Sequence, residues 1–135
     1  MTNVVPTGGV HHITLTVTDA QRSREFYTTI LNFQPIAEFG PRILLSNGSM
    51  VLAVGPAPDP THAPSGDQFD ENRVGLDHIS LSVSSRADLD EAVRIFDERG
   101  VPHGEIKDLG AGSGLYELAF RDPDNIQLEL SATYS

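Results

Sequence analysis

A short motif occurs twice in this chain of 135 residues, and this repeat constrains the fold more than any other feature. The stretch HHITLTV at 11–17 returns as DHISLSV at 77–83, so that His12 corresponds to His78. Each copy is followed by a helix-type pattern of apolar residues and then by three short strand-like runs. The repeat therefore predicts two tandem βαβββ modules in an α+β fold.

The boundaries of the modules follow from local signals. Thr18 or Asp19 can cap the first helix, whereas Ser85 with Asp88 approximates a capping box before the second, and Gly100 suits its end. Turns are expected at Asn47-Gly48 and at DPDN, 122–125. We predict a single domain over 1–135, with module one at 9–55, a linker at 56–75 and module two at 76–132.

The linker is long and irregular. Its sequence, PAPDPTHAPSGDQFDENRVG, is rich in proline and acidic residues. A segment of this length in a compact domain is usually a functional loop, a lid or a mobile tether.

Composition excludes several classes of function. The chain has 9 basic and 19 acidic residues and a net charge of −10, which argues against binding to nucleic acid or to an anionic membrane, and suits cationic or neutral ligands. It has no cysteine, so disulfides and thiolate chemistry are excluded. No signal peptide and no apolar run of about 18 residues is present, so we expect a soluble cytoplasmic protein.

Strand alternation predicts a polar face that carries metal ligands. Ile13, Leu15 and Val17 share the face that must pack, so His12 points the other way and His11 lies on the wrong side for the same site. The same alternation puts His78 and Glu129 on the polar faces of their strands. Two imidazoles and a carboxylate are a ligand set for Fe(II), Mn(II) or Zn(II) with open positions, and a concave, water-accessible cup would suit them.

Three stretches carry a resemblance to a known family. VHHITLTVTDAQRSREFYTTILNF, GLDHISLSV and FRDPDNIQLEL resemble the vicinal oxygen chelate superfamily, which is also called the glyoxalase/bleomycin resistance/dioxygenase group. The resemblance covers the chain from about Gly9 to Ala132. It implies paired βαβββ modules whose mixed sheets curve into a cup around a metal or ligand, and a homodimer.

The resemblance also implies a metal centre. By position, His12, His78 and Glu129 match the ligands of the family, which implies one divalent metal ion per chain: Fe2+, Mn2+, Zn2+ or Ni2+. Aligning the two hairpin turns equates Leu52 with Glu129, so the fourth ligand of the glyoxalase I branch is missing. The remaining set resembles that of the extradiol dioxygenases and the fosfomycin-resistance branch.

Three functions are consistent with this resemblance. The first is a dioxygenase- or lyase-type enzyme whose metal binds adjacent oxygens of a small substrate. Tyr116 is then a candidate catalytic hydrogen-bond donor, and the candidate substrate-binding residues are Leu52, His62, His103 and Glu105. The second is a metal-free, bleomycin-resistance-like protein that sequesters a drug or natural product. The third, an isomerase or epimerase acting on an acyl thioester, would need a fourth ligand, and Leu52 argues against it.

Overall fold

The computed structural model describes residues 3–134, which form two compact units that divide between Ala63 and Pro64. This division falls inside the predicted linker. The predicted domain, 1–135, includes residues 1, 2 and 135, which lie outside the described residues. No helix in the described part of the chain is both long and apolar enough to cross a membrane.

The first unit contains a four-stranded mixed sheet and one helix. The strand order is β1-β4-β3-β2, and β1 runs parallel to β4 while the other neighbours are antiparallel. A 3-10 helix, Pro60–His62, follows the sheet. The main elements are β1 Ile13–Thr16, α1 Ala20–Thr29, β2 Gln34–Phe39, β3 Arg42–Ser46 and β4 Val51–Gly55.

The second unit has the same topology, which confirms the predicted α+β fold of two βαβββ repeats. Its strand order is β5-β8-β7-β6, again with one parallel pair, β5 and β8. Its elements are β5 Ile79–Ser82, α2 Arg86–Arg99, β6 Lys107–Asp108, β7 Leu115–Arg121 and β8 Gln127–Thr133.

Both helices begin at the predicted caps, and the second also ends at the predicted glycine. The Asp19 carboxylate accepts the backbone N–H groups of the first turn of α1, and the Asp88 carboxylate accepts the N–H of Ser85 before α2. Gly100 ends α2 in the left-handed region, at φ 69°. These caps define the ends of the helices that pack on the two sheets.

Each sheet buries one face under its helix. In the first unit Leu45 and Val54 are fully buried beneath Tyr27 and Phe33, and in the second the corresponding core contains Leu118, Phe120, Leu128, Leu89 and Phe96. The alternation of strand residues leaves the opposite face of each sheet for polar or ligand-binding side chains.

The strand pairing corrects the alignment that equated Leu52 with Glu129. Ile13 pairs with Leu52 and Thr14 with Ala53, whereas Ile79 pairs with Leu128 and Ser80 with Glu129. Ala53 is therefore the equivalent of Glu129.

The alignment by turns is wrong by one residue because the hairpin loops differ in length. Pairing resumes after residues 47–50 in the first unit and after 122–126 in the second. Leu52 lies on the packed face and is only 2% exposed, so it does not line a ligand site on the polar face. Alanine, like leucine, cannot bind a metal, so the conclusion that a fourth ligand is absent from this position still holds.

Candidate functional site

The polar face of the second unit brings His78 close to Glu129. His78 lies immediately before β5, and Glu129 lies in the middle of β8, opposite Ser80. Nε2 of His78 is 3.4 Å from Oε1 of Glu129. That carboxylate oxygen is buried and has no hydrogen-bond partner among the described residues. A buried, unpaired carboxylate oxygen is costly unless a proton or a cation occupies the space beside it.

The other ring nitrogen of His78 is held by Asp77. Nδ1–H donates to Oδ1 of Asp77 over 2.8 Å, which directs Nε2 toward Glu129. This hydrogen bond raises the pKa of His78, with a smaller contribution from the Glu129 charge, while burial opposes both. A carboxylate behind a histidine is the arrangement that fixes the orientation of metal-binding imidazoles.

Glu117 on β7 is a site residue that the sequence analysis missed. The strand register puts Glu117 opposite Ser131 and Ala119 opposite Glu129, so the two glutamates are diagonal neighbours on one face. Burial raises the pKa of Glu129 most, and its hydrogen bond with Glu117 raises that pKa further. The alternation of LYELAF could have revealed it, because Glu117 is an acidic residue within an otherwise largely apolar strand.

A chain of hydrogen bonds connects Asp77 to the linker. Nε2 of Gln127 donates to Oδ1 of Asp77 over 2.8 Å, and Arg121 donates to Oε1 of Gln127 over 3.3 Å. The Arg121 guanidinium also forms two bonds of 2.8 Å with the Glu71 carboxylate. This bidentate pair lowers the pKa of Glu71 to about 2.

The His78–Glu129 pair fits a divalent metal ion as two of its ligands. An imidazole nitrogen and a carboxylate oxygen, each about 2.1 Å from one ion, lie about 3.4 Å apart at a tetrahedral angle. The observed separation is 3.4 Å, and the unpaired oxygen faces the histidine. The described residues contain no group of three or more His, Cys, Asp or Glu side chains that could hold a metal. The structure thus brings two of the three predicted ligands together, while His12 belongs to the other unit.

His12 lines a cavity of about 600 Å³ on the polar face of the first unit. His11 lines the same cavity, and the two Nδ1 atoms are 2.9 Å apart. The expectation that adjacent histidines face opposite sites is therefore wrong. It fails because β1 begins only at Ile13, so strict alternation does not apply to the two residues before it.

Tyr116 lies on the face of β7 opposite to Glu117. It pairs with Ala132, its ring is 4.8 Å from that of Tyr134, and the Arg86 guanidinium lies 5.3 Å above it. These contacts put Tyr116 against the N-terminal end of α2, away from the face that carries Glu129. The proposed catalytic role of Tyr116 therefore has no support from its position.

His103 and Glu105, two of the candidate substrate-binding residues, do not share a strand face. The strand in this region is limited to β6, and His103 forms only an isolated bridge with Phe120. Nε2 of His103 donates to Asp97 of α2 and its Nδ1 to the carbonyl of Gly104, each over 2.6 Å, and these bonds raise its pKa. His103 is thus occupied in fixing the helix end, and Glu105 is exposed beside it.

His62 lies in the 3-10 helix after the first sheet. Its side chain is 84% exposed, and its nearest charged partner is Asp59, with 3.8 Å between Nε2 and Oδ2. His62 does not line the cavity of the first unit, which makes it a suitable control histidine.

Comparison with known proteins gives consistent matches over almost the whole chain. The family model Glyoxalase/Bleomycin resistance protein/Dioxygenase superfamily matches residues 9–130. The uncharacterized protein YwkD of Bacillus subtilis (strain 168) is 33% identical over 128 residues, covering 90% of this chain and 94% of that protein. A glyoxylase/bleomycin resistance protein/dioxygenase domain from Frankia sp. EAN1pec is 31% identical, with a TM-score of 0.76 and coverage of 96% and 95%. The fosfomycin resistance protein FosX of Listeria monocytogenes, complexed with Mn(II) and sulfate, is 23% identical, with a TM-score of 0.74 and coverage of 95% and 92%; at this identity the likeness shows the fold alone.

Proposed function

Because the chain belongs to the glyoxalase/bleomycin resistance protein/dioxygenase superfamily, we propose that it is a metal-dependent enzyme acting on a small molecule. His12, His78 and Glu129 are the proposed ligands of one divalent ion per chain. The observation that carries the proposal is the approach of Nε2 of His78 to the buried, unpaired Oε1 of Glu129. We further propose that the protein acts as a homodimer.

The bound ion would supply a Lewis acid for a substrate with two adjacent oxygens, in a dioxygenase- or lyase-type reaction. The protein's own residues prepare the site. Asp77 holds His78 in the orientation that presents Nε2, and Glu129 offers a buried carboxylate oxygen that has no hydrogen-bond partner among the described residues. The same fold is complexed with Mn(II) in FosX, which makes Mn(II) the first ion to test.

A second candidate is a metal-free protein that sequesters a drug or natural product. The cavity of the first unit favours it, because a volume of about 600 Å³ with a mainly apolar lining suits a small organic molecule. The two candidates differ in whether binding requires the residues of the second unit.

The test is metal content. The protein is purified without a chelator or metal-affinity tag, and bound metals are quantified by mass spectrometry in the wild type and in H12A, H78A and E129A. We expect about one ion per chain in the wild type and at least a tenfold loss of affinity in each variant. H62A is the matched control and should retain the ion, because His62 is exposed and does not line the cavity that His12 lines.

Two outcomes would contradict the proposal. The first is a wild type that takes up no Mn(II), Zn(II) or Ni(II), and no Fe(II) under anaerobic conditions. The second is a bound ion that survives in both H78A and E129A. Either result would leave the sequestering protein as the better candidate.

A further inference from the structure

The two units differ sharply in charge. Residues 1–63 contain three basic and four acidic residues, whereas residues 64–135 contain six basic and fifteen acidic residues. The net charge of −10 therefore belongs almost entirely to the second unit. The expectation of a cationic or neutral ligand was based on the net charge of the whole chain. That charge does not describe the first unit, which is nearly neutral.

The strand ladder shows where this difference is concentrated. Glu129 in the second unit is replaced by Ala53 in the first. Glu117, opposite Ser131, is replaced by Arg42, which lies across Gly55 one step beyond the Ile43–Val54 pair. The repeat that gathers two carboxylates in one unit thus places a guanidinium and no carboxylate at the same ladder positions in the other.

Every charged or ionisable side chain lining the first unit's cavity is basic. They are Arg42, His11 and His12, and no acidic side chain of residues 3–134 contributes to the lining. Arg42 has no ion-pair partner among the described residues. The Arg42 side chain packs closely against Gly55. A Cβ atom added at position 55 would be only 2.8 Å from Cγ of Arg42. A side chain at position 55 would therefore force Arg42 to shift.

The rest of the cavity is apolar and partly exposed to solvent. Ile36 and Phe39 are 54% and 76% exposed, and they lie beside further aliphatic side chains, Leu44, Val51 and Ala53. Large apolar side chains next to the unpaired Arg42 guanidinium form a surface that is complementary to an amphipathic anion.

We propose that the first unit's cavity binds a small molecule that carries an anionic group, held by Arg42 beside the histidine pair, on an apolar body that packs on Ile36 and Phe39. This inference names the class of ligand for the proposed function. It rests on the proposed function only in treating this cavity as part of the ligand site. It holds for the enzyme and for the sequestering protein alike.

The test uses three probes with one phenylpropyl body and different charge: 3-phenylpropionate, 3-phenylpropionamide and 3-phenylpropylamine. Their binding to metal-stripped protein is measured by calorimetry and by ligand-observed NMR at pH 7.5. We expect the anion to bind best and the cation worst. R42M and R42Q should each weaken the anion about tenfold or more and leave the amide unchanged, since only the anion makes a charge-assisted contact.

Two further variants locate the contacts. R24M removes an arginine of α1 that does not line the cavity and should leave all three probes unchanged. F39A should weaken all three equally, because it removes apolar contact area shared by the common body. Circular dichroism establishes that each variant is folded.

Three results would overturn the inference: equal binding of all three probes, no detectable binding of the anion, or the same loss in R24M as in R42M. Binding of the anion only after metal is restored would also overturn it, because the anion would then be a metal ligand. Failure of the metal proposal alone leaves these outcomes unaffected, since the experiment is carried out on the stripped protein.

Discussion

At the scale of the residue, the orientation of His78 is set by its neighbour in the chain. Asp77 accepts the Nδ1 proton, so Nε2 faces Glu129 with either a lone pair or a second proton. Gln127 in turn donates to the same Asp77 oxygen and fixes that carboxylate. The affinity of His78 for a metal ion therefore depends on Asp77 and Gln127, which would not themselves contact the ion.

We expect D77A to weaken metal binding by about 10- to 100-fold, because the imidazole loses the acceptor that fixes its ring and its proton. D77N retains an acceptor oxygen and should recover part of the affinity. Competition with a chromophoric chelator measures both. D90A removes a comparably exposed carboxylate of α2 and is the control. Equal affinity in D77A and the wild type would show that Asp77 does not position the ligand.

At the scale of the element, the second part of the linker is fastened to the β7–β8 turn. The Glu71–Arg121 pair is joined by two contacts to the turn: Asn125 donates to the carbonyl of Phe69, and the Phe69 N–H donates to the carbonyl of Asp124. Residues 69–71 are therefore a bound strap, and this part of the linker is neither a free lid nor a tether. The strap ends on the same guanidinium that touches Gln127.

The strap should loosen on acidification. The pKa of Glu71 is lowered from 4.5 to about 2 in the folded protein, so the pair contributes stability above pH 4.5 and loses it as the pH falls toward 2. We expect E71Q to unfold at a lower temperature than the wild type at pH 7, and this difference to shrink between pH 4.5 and 2. Thermal unfolding monitored by circular dichroism measures it. E98Q, in an exposed helix pair, is the control. A difference between E71Q and the wild type that is independent of pH would contradict the assignment.

At the scale of the whole molecule, the two units share a topology and differ in charge density. The second unit carries fifteen of the 19 acidic residues, and several of them lie close together on its polar face. Repulsion between like charges on an exposed surface is screened by salt within a Debye length of about 10 Å at 0.1 M.

We expect the unfolding temperature to rise by a few degrees (about 2–4 °C) between 10 and 200 mM NaCl at pH 8, with the larger gain in amide protection in residues 64–134. Hydrogen exchange resolved by peptide separates the two units. KCl serves as a control for specific ion effects. A fall in the unfolding temperature would mean that ion pairs such as Glu71–Arg121 and Glu91–Arg94 outweigh the repulsion.

The sequence predicted the fold because its signals are local and repeated. Caps such as Asp19 and Gly100, and the alternation of strands, depend on neighbours within a few residues. The site was predicted only in part: His78 and Glu129 meet, but Glu117 and the Glu71–Arg121 pair depend on strand register and on a contact across fifty residues. Composition also concealed the basic lining of the first cavity, because a net charge carries no information on position.

The shorter hairpin of the first unit shows which changes this architecture tolerates. The loop between β3 and β4 is one residue shorter than the loop between β7 and β8. Equivalent paired residues of the two hairpins nevertheless lie on equivalent faces of their sheets. The length of the hairpin loop can therefore differ between the two repeats while each strand position stays on the same face of its sheet. Equivalent ladder positions can therefore hold opposite charges, as Arg42 and Glu117 do, without any change in the pairing of the two central strands.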